Sequence, residues 1–218
     1  MKSIVQPLIG FVFLIGLLSC SNSAKEETRP GADSTTPEIV NEDMGVIAEA
    51  FPEVYHFFSV SDSSFTPDKF IEVSKDSIRN SPESAVGPIL KAYYPYFIFN
   101  TDSSFAIDLY SYNILFVTKN GKTAAKAGGP DTEVGLVDME NKTRRRIFFG
   151  GPSSNVVDAQ WLNNRAFLLM TGENAGTQGF NPSIIRYEIN KDSLKRFVYD
   201  ETLKLKITDY HDPRIKIL

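Results

Sequence analysis

Two stretches decide how this chain folds. The first is Val134-Gly135-Leu136-Val137-Asp138-Met139, the turn Glu140-Asn141-Lys142-Thr143, and, past two further arginines, Arg146-Ile147-Phe148-Phe149. The second is Ile184-Ile185-Arg186-Tyr187-Glu188-Ile189, the turn Asn190-Lys191-Asp192-Ser193, and, past two further residues, Arg196-Phe197-Val198-Tyr199. Each is a pair of apolar segments around a short polar turn, which is the pattern of a β-hairpin. Working outward, Ala106-Ile107-Asp108-Leu109 and Ile114-Leu115-Phe116-Val117 precede the first, as Val156-Val157-Asp158-Ala159 and Ala166-Phe167-Leu168-Leu169-Met170 precede the second. At an offset of 50 residues Asp108 meets Asp158, Asn113 meets Asn163, Gly129 meets Gly179 and Arg146 meets Arg196. Four apolar segments and three turns keep their order twice, which is the signature of an internal repeat. The expected fold is mainly β (α+β). Two four-stranded antiparallel meander units, about 96–150 and 151–201, pack together behind a short helical N-terminal segment.

The run Asp158-Ala159-Gln160-Trp161-Leu162-Asn163-Asn164-Arg165-Ala166-Phe167-Leu168-Leu169 resembles the inner hairpin of Tol-type and WD-like β-propeller blades. There a Trp precedes a polar turn and an apolar strand. Residues 183–199 resemble that blade's outer hairpin. The first unit departs from the pattern, with Ser111 where the second has Trp161. A closed propeller takes four to eight blades, so two units imply an incomplete propeller or a sandwich-like packing. Trp161, Phe167, Tyr187, Phe197, Phe148, Phe99 and Phe97 would form its core.

Ahead of the repeat, Met44 to Phe51 suits a short helix stopped by Pro52. Residues 53–60 are rich in strand formers. Thr66-Pro67 offers a helix cap with Pro at the first position, although Phe70-Ile71-Glu72-Val73 also suits a strand. Ser81-Pro82 offers a second cap, for a helix from Pro82 to about Tyr93. After the repeat, Leu203 to Thr208 suits one more strand.

Composition narrows the class. The chain has 218 residues and is 42% hydrophobic and 23% charged, with a net charge of −4. These are ordinary values for a globular protein. There is no clustered Lys/Arg stripe of the kind a nucleic-acid backbone needs, so no nucleic-acid partner is expected. One cysteine and two histidines leave no disulfide framework and no Cys-rich zinc site.

That single cysteine sits in an informative place. Met1-Lys2 is a short positive start, and Leu8 to Leu18 is an apolar run of signal-peptide length. It ends in Leu17-Leu18-Ser19-Cys20, which resembles a bacterial lipobox. The resemblance implies cleavage before Cys20 and lipidation of its sulfur. Residues 1–19 are then a lipoprotein signal peptide, 20–43 a polar tether without apolar period, and 44–218 one β-rich domain. Two or more acyl chains hold a protein firmly to a membrane, where one chain does so only marginally. Ser21, where Asp would mark inner-membrane retention in the family's sorting rule, leans toward the outer membrane. The expected place is thus the bacterial cell envelope, on an outer-membrane lipoprotein facing periplasm or cell surface.

Chemistry is harder to find. There is no Gly-x-Ser-x-Gly elbow. Gly128-Gly129-Pro130 and Gly150-Gly151-Pro152 lack the Lys-Ser/Thr of a phosphate loop. His56 lies in an apolar run and reads as a partly buried, satisfied histidine. His211 with Asp209 and Asp212 reads as an exposed polar tail rather than a metal site, and no cofactor is expected. Arg144-Arg145-Arg146 reads as the exposed start of a strand. Asp108 and Asp158 are the repeated acids within strand segments. They would serve a carboxylate-dependent hydrolase only if they were brought to a set separation. The segment 171–182 is long for a hairpin connection, and long loops in compact domains are often functional. Thr171, Glu173, Asn174, Gln178 and Asn181 are its candidate binding residues. The expectation is a lipid-anchored, non-enzymatic binding or accessory module whose partner is an envelope protein or a glycan. An envelope hydrolase and a small-molecule carrier are the alternatives.

Overall fold

Both deciding stretches fold as hairpins in a computed structural model that describes residues 45, 49–77, 83–85, 87, 91–119 and 122–215. All of these belong to the unit Thr36–Leu218. The expected signal segment, Cys20 and the tether lie outside the described residues.

The first hairpin is β7 (Thr132–Asp138) with β8 (Thr143–Gly150), and the second is β11 (Phe180–Glu188) with β12 (Ser193–Tyr199). Their registers match. Asp138, Val137 and Leu136 face Thr143, Arg144 and Arg145, as Glu188, Tyr187 and Arg186 face Ser193, Leu194 and Lys195. The turns match too, since Lys142 and Asp192 both adopt positive φ, 54° and 47°. A residue forced into this left-handed region closes the turn tightly.

Strands β9 (Ser154–Asn163) and β10 (Ala166–Asn174) precede the second hairpin. With β1 (Phe70–Ser77) they complete a late sheet of order β1-β12-β11-β10-β9. The remaining strands are β2 (Glu83–Ala85), β3 (Ile98–Phe99), β4 (Phe105–Asp108), β5 (Ile114–Lys119) and β6 (Lys122–Ala127). An early sheet has the order β2-β8-β7-β4-β3, and β5 and β6 form a separate two-stranded hairpin. Every pairing is antiparallel. Among the described residues the protein is mainly β and no sheet closes into a barrel.

The ladders correct the first half of the expected repeat. Phe105 faces Asp138 as Ala166 faces Glu188, so β4 corresponds to β10 and not to β9. Asp108, opposite Gly135, therefore answers to Leu169, opposite Ile185. Asp158 sits on the neighbouring strand, opposite Met170. By the same register, Trp161, opposite Phe167, answers to Phe99, opposite Ala106, and not to Ser111. The cause is an insertion. Between β4 and β7 the chain makes the β5–β6 hairpin, whereas β10 reaches β11 through residues 175–179 alone.

The late sheet is buried on both faces. Side chains alternate along a strand. Leu168 and Met170 join a core with Phe51, Val54, Phe58, Ile184 and Phe197, while Phe167 and Leu169 join one with Ile107, Leu136, Ile185 and Tyr187. This explains the unbroken apolar run of β10, all buried from Ala166 to Gly172. Of the expected core aromatics, Phe167, Tyr187, Phe197 and Phe97 are buried, and Trp161, Phe148 and Phe99 are partly so. Trp161 donates its indole N–H to the Ile98 carbonyl at 2.8 Å, tying β9 to β3.

The segments before the repeat differ most from expectation. Gly45, Glu49 and Ala50, the described part of the expected helix 44–51, are helical. Pro52 then starts a helix, α1 (Pro52–Ser61), where a strand was expected. Proline is suited to a helix start because its missing N–H has no partner there anyway. Phe51, Val54 and Phe58 are buried at spacings of three and four, and this helical stripe outweighs local strand propensity. Thr66 does cap a turn, accepting from the Asp68 N–H, but that turn spans only Pro67–Lys69 before β1 begins. The expected helix from Pro82 is overturned, since Glu83–Ala85 pairs with Thr143 to Arg145 as a strand. The expected strand at 203–208 reduces to a single bridge, Phe180 to Leu203, and a turn at Ile207–Asp209.

Candidate functional site

Asp108 is fully buried at the end of β4, and every contact it makes is internal. Its Oδ1 accepts from the backbone N–H groups of Tyr110 (3.2 Å) and Ser111 (3.0 Å). Its Oδ2 accepts from Arg144 Nε at 2.7 Å and from the Ser111 hydroxyl. Arg144 also reaches Glu133 at 2.5 Å, and Arg146 meets the other oxygen of Glu133 at 2.7 Å. Gly135 makes room for this, because a Cβ there would fall 2.4 Å from the guanidinium carbon of Arg144. Arg145 turns to the other face, donating to the Tyr187 hydroxyl at 2.6 Å and pairing with Asp192 at 3.1 Å. Arg144 and Arg145 are thus internal clamps, which corrects the expectation of an exposed strand start for those two, while Arg146 is exposed and pairs with Glu133 from the surface. The reason is that the buried carboxylates of Asp108 and Glu133 meet Arg144 only once the strands have paired.

Asp158 lies on the late sheet and is held by a different arginine. Arg214 Nη2 reaches it at 2.6 Å and also grips Asp212 at 2.8 Å. The Tyr110 hydroxyl donates to Asp212 as well. Burial pushes the Asp158 carboxyl above its ordinary pKa, against the pull of Arg214. Burial acts the same way on Asp212, but hydrogen bonds from Arg214 and Tyr110 outweigh it and hold that group low. Asp108 and Asp158 therefore sit on separate sheets, each with its own arginine, and form no carboxylate pair. Asp108 accepts through both of its oxygens, and Asp158 through Oδ1, from the Ala159 N–H and Arg214.

His56 is exposed on the solvent side of α1, which corrects the expectation of partial burial. The helix turns position 56 away from the stripe of Phe51, Val54 and Phe58. His211 is exposed in the tail, and no group of three metal-ligating side chains occurs among the described residues.

The expected long loop 171–182 is mostly strand. Thr171 is buried and bonded to Ser183 at 2.7 Å. Glu173 accepts from the hydroxyls of Ser153 and Ser154, both at 2.8 Å. The Asn174 N–H donates to the Ser153 carbonyl at 2.8 Å, and Asn181 accepts from Thr202 at 2.7 Å. These four side chains or backbones brace the loop. Gln178 alone of the five candidates lines a cleft.

That cleft has a volume of 610 Å³ and three walls. One is residues 176–179, another is Lys204, Leu205 and Lys206, and the third is Phe57 and Ser61 on α1, with Asp209 at the margin. The walls are tied to each other. Phe180 and Leu203 exchange both backbone hydrogen bonds at 2.9 Å. Asp62, at the end of α1, accepts from the Lys204 N–H at 2.8 Å. That bond and those from Ser64 hold the Asp62 carboxyl below its ordinary pKa. Gly179 adopts φ +127°, and a Cβ there would lie 2.0 Å from the Leu203 carbonyl oxygen, so the two walls meet only through a glycine. Along the second wall Leu203, Leu205 and Ile207 are buried, while Lys204 and Lys206 between them are exposed. A tight turn at Lys204, closed by the Leu205 N–H on the Leu203 carbonyl at 2.9 Å, leaves the leucines in the core and the lysines outside. Ligand sites are typically clefts of about 300–1,000 Å³ with a few placed polar groups, and this one falls in that range. The lysines, α1 and the tail were invisible to sequence reasoning here, because they come from segments some 140 residues apart.

No protein-family model, no curated protein and no solved structure matches the chain.

Proposed function

We propose that this chain is a lipid-anchored lipoprotein of the bacterial cell envelope, fixed at the outer membrane through Cys20. Its folded part is a non-enzymatic binding or accessory module, and it takes its partner, an envelope protein or a glycan, at the cleft beside residues 175–179. The lipid anchor is supported by Leu17-Leu18-Ser19-Cys20 at the end of an apolar run. The binding role is carried by one observation, that three chain segments are hydrogen-bonded together around a 610 Å³ cleft. Such preformed sites do not spend binding energy on ordering their own walls. We further read the two sheets as blade-like units, a reading supported by the shared register and shared left-handed turn of their outer hairpins.

The test is fractionation of cells that carry a tagged copy. The native chain is expected with the outer membrane and takes up radiolabelled palmitate, and Cys20→Ala is expected to lose both. A Cys20→Ala protein that still partitions fully with membranes would refute the anchor. Photo-cross-linking from position 178 in the same cells tests the cleft, where a defined adduct is expected and its absence removes the cleft as the binding site.

A further inference from the structure

We propose that the cleft takes a small organic anion with a ring or apolar body, the negative group between Lys204 and Lys206 and the body against Phe57. This rests on the reading of the cleft as a binding site and adds its ligand chemistry.

Between buried Leu203, Leu205 and Ile207, the residues Lys204 and Lys206 are exposed. They stand two residues apart and both line the cleft. Arg144, Arg145, Arg146 and Arg214 are each paired with a carboxylate. Neither Lys204 nor Lys206 makes an ion pair or a side-chain hydrogen bond among the described residues. Asp62, near Lys204, is committed to Ser64 and to the Lys204 backbone. Asp209 is the one carboxylate in the lining beside the two lysines, and the neighbouring Asp62 carboxylate also attracts the Lys204 ammonium. Ammonium groups act as compact point charges toward carboxylate or phosphate.

The body of the ligand is argued from the other wall. Phe57 is partly exposed and fixed by Tyr210, with ring centroids 5.4 Å apart. It offers an apolar platform packed against Phe58 and Tyr210. Ser61, Thr177 and Gln178 supply neutral donors and acceptors around it. An apolar platform with a few convergent polar groups is the general form of a small-ligand site. A bare inorganic anion would leave Phe57 and Leu205 unused, and a neutral ring would leave both ammonium groups unused.

The experiment uses the full lipidated chain in detergent micelles. Phenyl phosphate, benzoate, inorganic phosphate and neutral benzyl alcohol are titrated by calorimetry and thermal shift. Phenyl phosphate or benzoate is expected to bind and raise the melting temperature. Whichever of the two is tighter identifies the anionic group as phosphate or carboxylate. Inorganic phosphate and benzyl alcohol are expected to bind at least tenfold more weakly. The variant K204M/K206M is expected to lose at least tenfold in affinity for the anionic probe while melting as the native protein does, and Asp209→Asn is expected to gain affinity. Equal binding of benzyl alcohol, or undiminished binding by K204M/K206M, overturns the proposal. So does no binding by any probe. The cross-link from position 178 is read separately, so an adduct without anion binding sinks the ligand chemistry and leaves the cleft.

Discussion

Arg144 reaches Asp108 and Glu133 by lying across Gly135, and the three charges have little contact with water. Such a network is costly to assemble but more costly to break, since removing one partner strands the others uncompensated. Arg144→Met is expected to lower stability by about 3–5 kcal/mol, measured as a shift of the urea midpoint at unchanged slope. Gly135→Ala is also expected to destabilise, because its methyl group would fall 2.4 Å from the same guanidinium. In a double-mutant cycle the two losses should fall well short of additive, since both act through one arginine. Additive losses would show that Gly135 serves some other purpose. The glycine and the arginines are plain in the sequence. Their relation is not, because Gly135 and Arg144 meet only once β7 and β8 are in register.

At the scale of elements, the two outer hairpins show why half of the repeat was legible. Each is local, so its turn and its apolar alternation lie within one window, and both predicted turns are present with positive φ at Lys142 and Asp192. The two turns are not equivalent in energy. Lys142 is exposed and makes no side-chain bond among the described residues, whereas Asp192 accepts from the Tyr187 hydroxyl and pairs with Arg145. A left-handed conformation costs an ordinary residue roughly 1–2 kcal/mol, partly offset by the greater unfolded freedom of glycine. Lys142→Gly is thus expected to raise stability by about 0.5–1 kcal/mol, and Asp192→Gly to lower it. Thermal unfolding of the two variants checks this, and a gain in both would mean that the Asp192 contacts contribute nothing. The helix α1 was misread for the opposite reason. Its residues favour strands locally, and only the core beneath Phe51, Val54 and Phe58 selects the helical period.

Over the whole molecule, the chain's late part is clasped by its early part and its tail. The strand β1 completes the late sheet by pairing with β12, joining Phe70 to Tyr199. The tail returns through Asp212 and Arg214 to Tyr110, next to the early sheet, and to Asp158 on the late one. This clasp carries a pH signature. Asp212 is held low, so it contributes stability above the ordinary carboxylate pKa of about 4, lost as the pH falls through its folded value. Asp158 is held high, so its charged form costs stability above its folded pKa, and the cost is relieved as it protonates. The two oppose each other. Asp212→Asn is expected to flatten the fall of melting temperature below about pH 4, and Asp158→Asn to remove a gain in stability that acidification brings just above that pH. Identical acid limbs in both variants would show that the clasp does not form in solution.

The sequence by itself determined the β-rich class, the two outer hairpins and their turns, the aromatic core of the late sheet and the motif at Cys20, since each is written in neighbouring residues. The rest came from packing. It set the early strand correspondence, moved by the β5–β6 insertion, and paired Asp108 and Asp158 with separate arginines. It also made a cleft from α1, residues 176–179 and the tail. These depend on which distant segments share a face, and that is fixed by packing two sheets and a helix together, not by any pattern within one window.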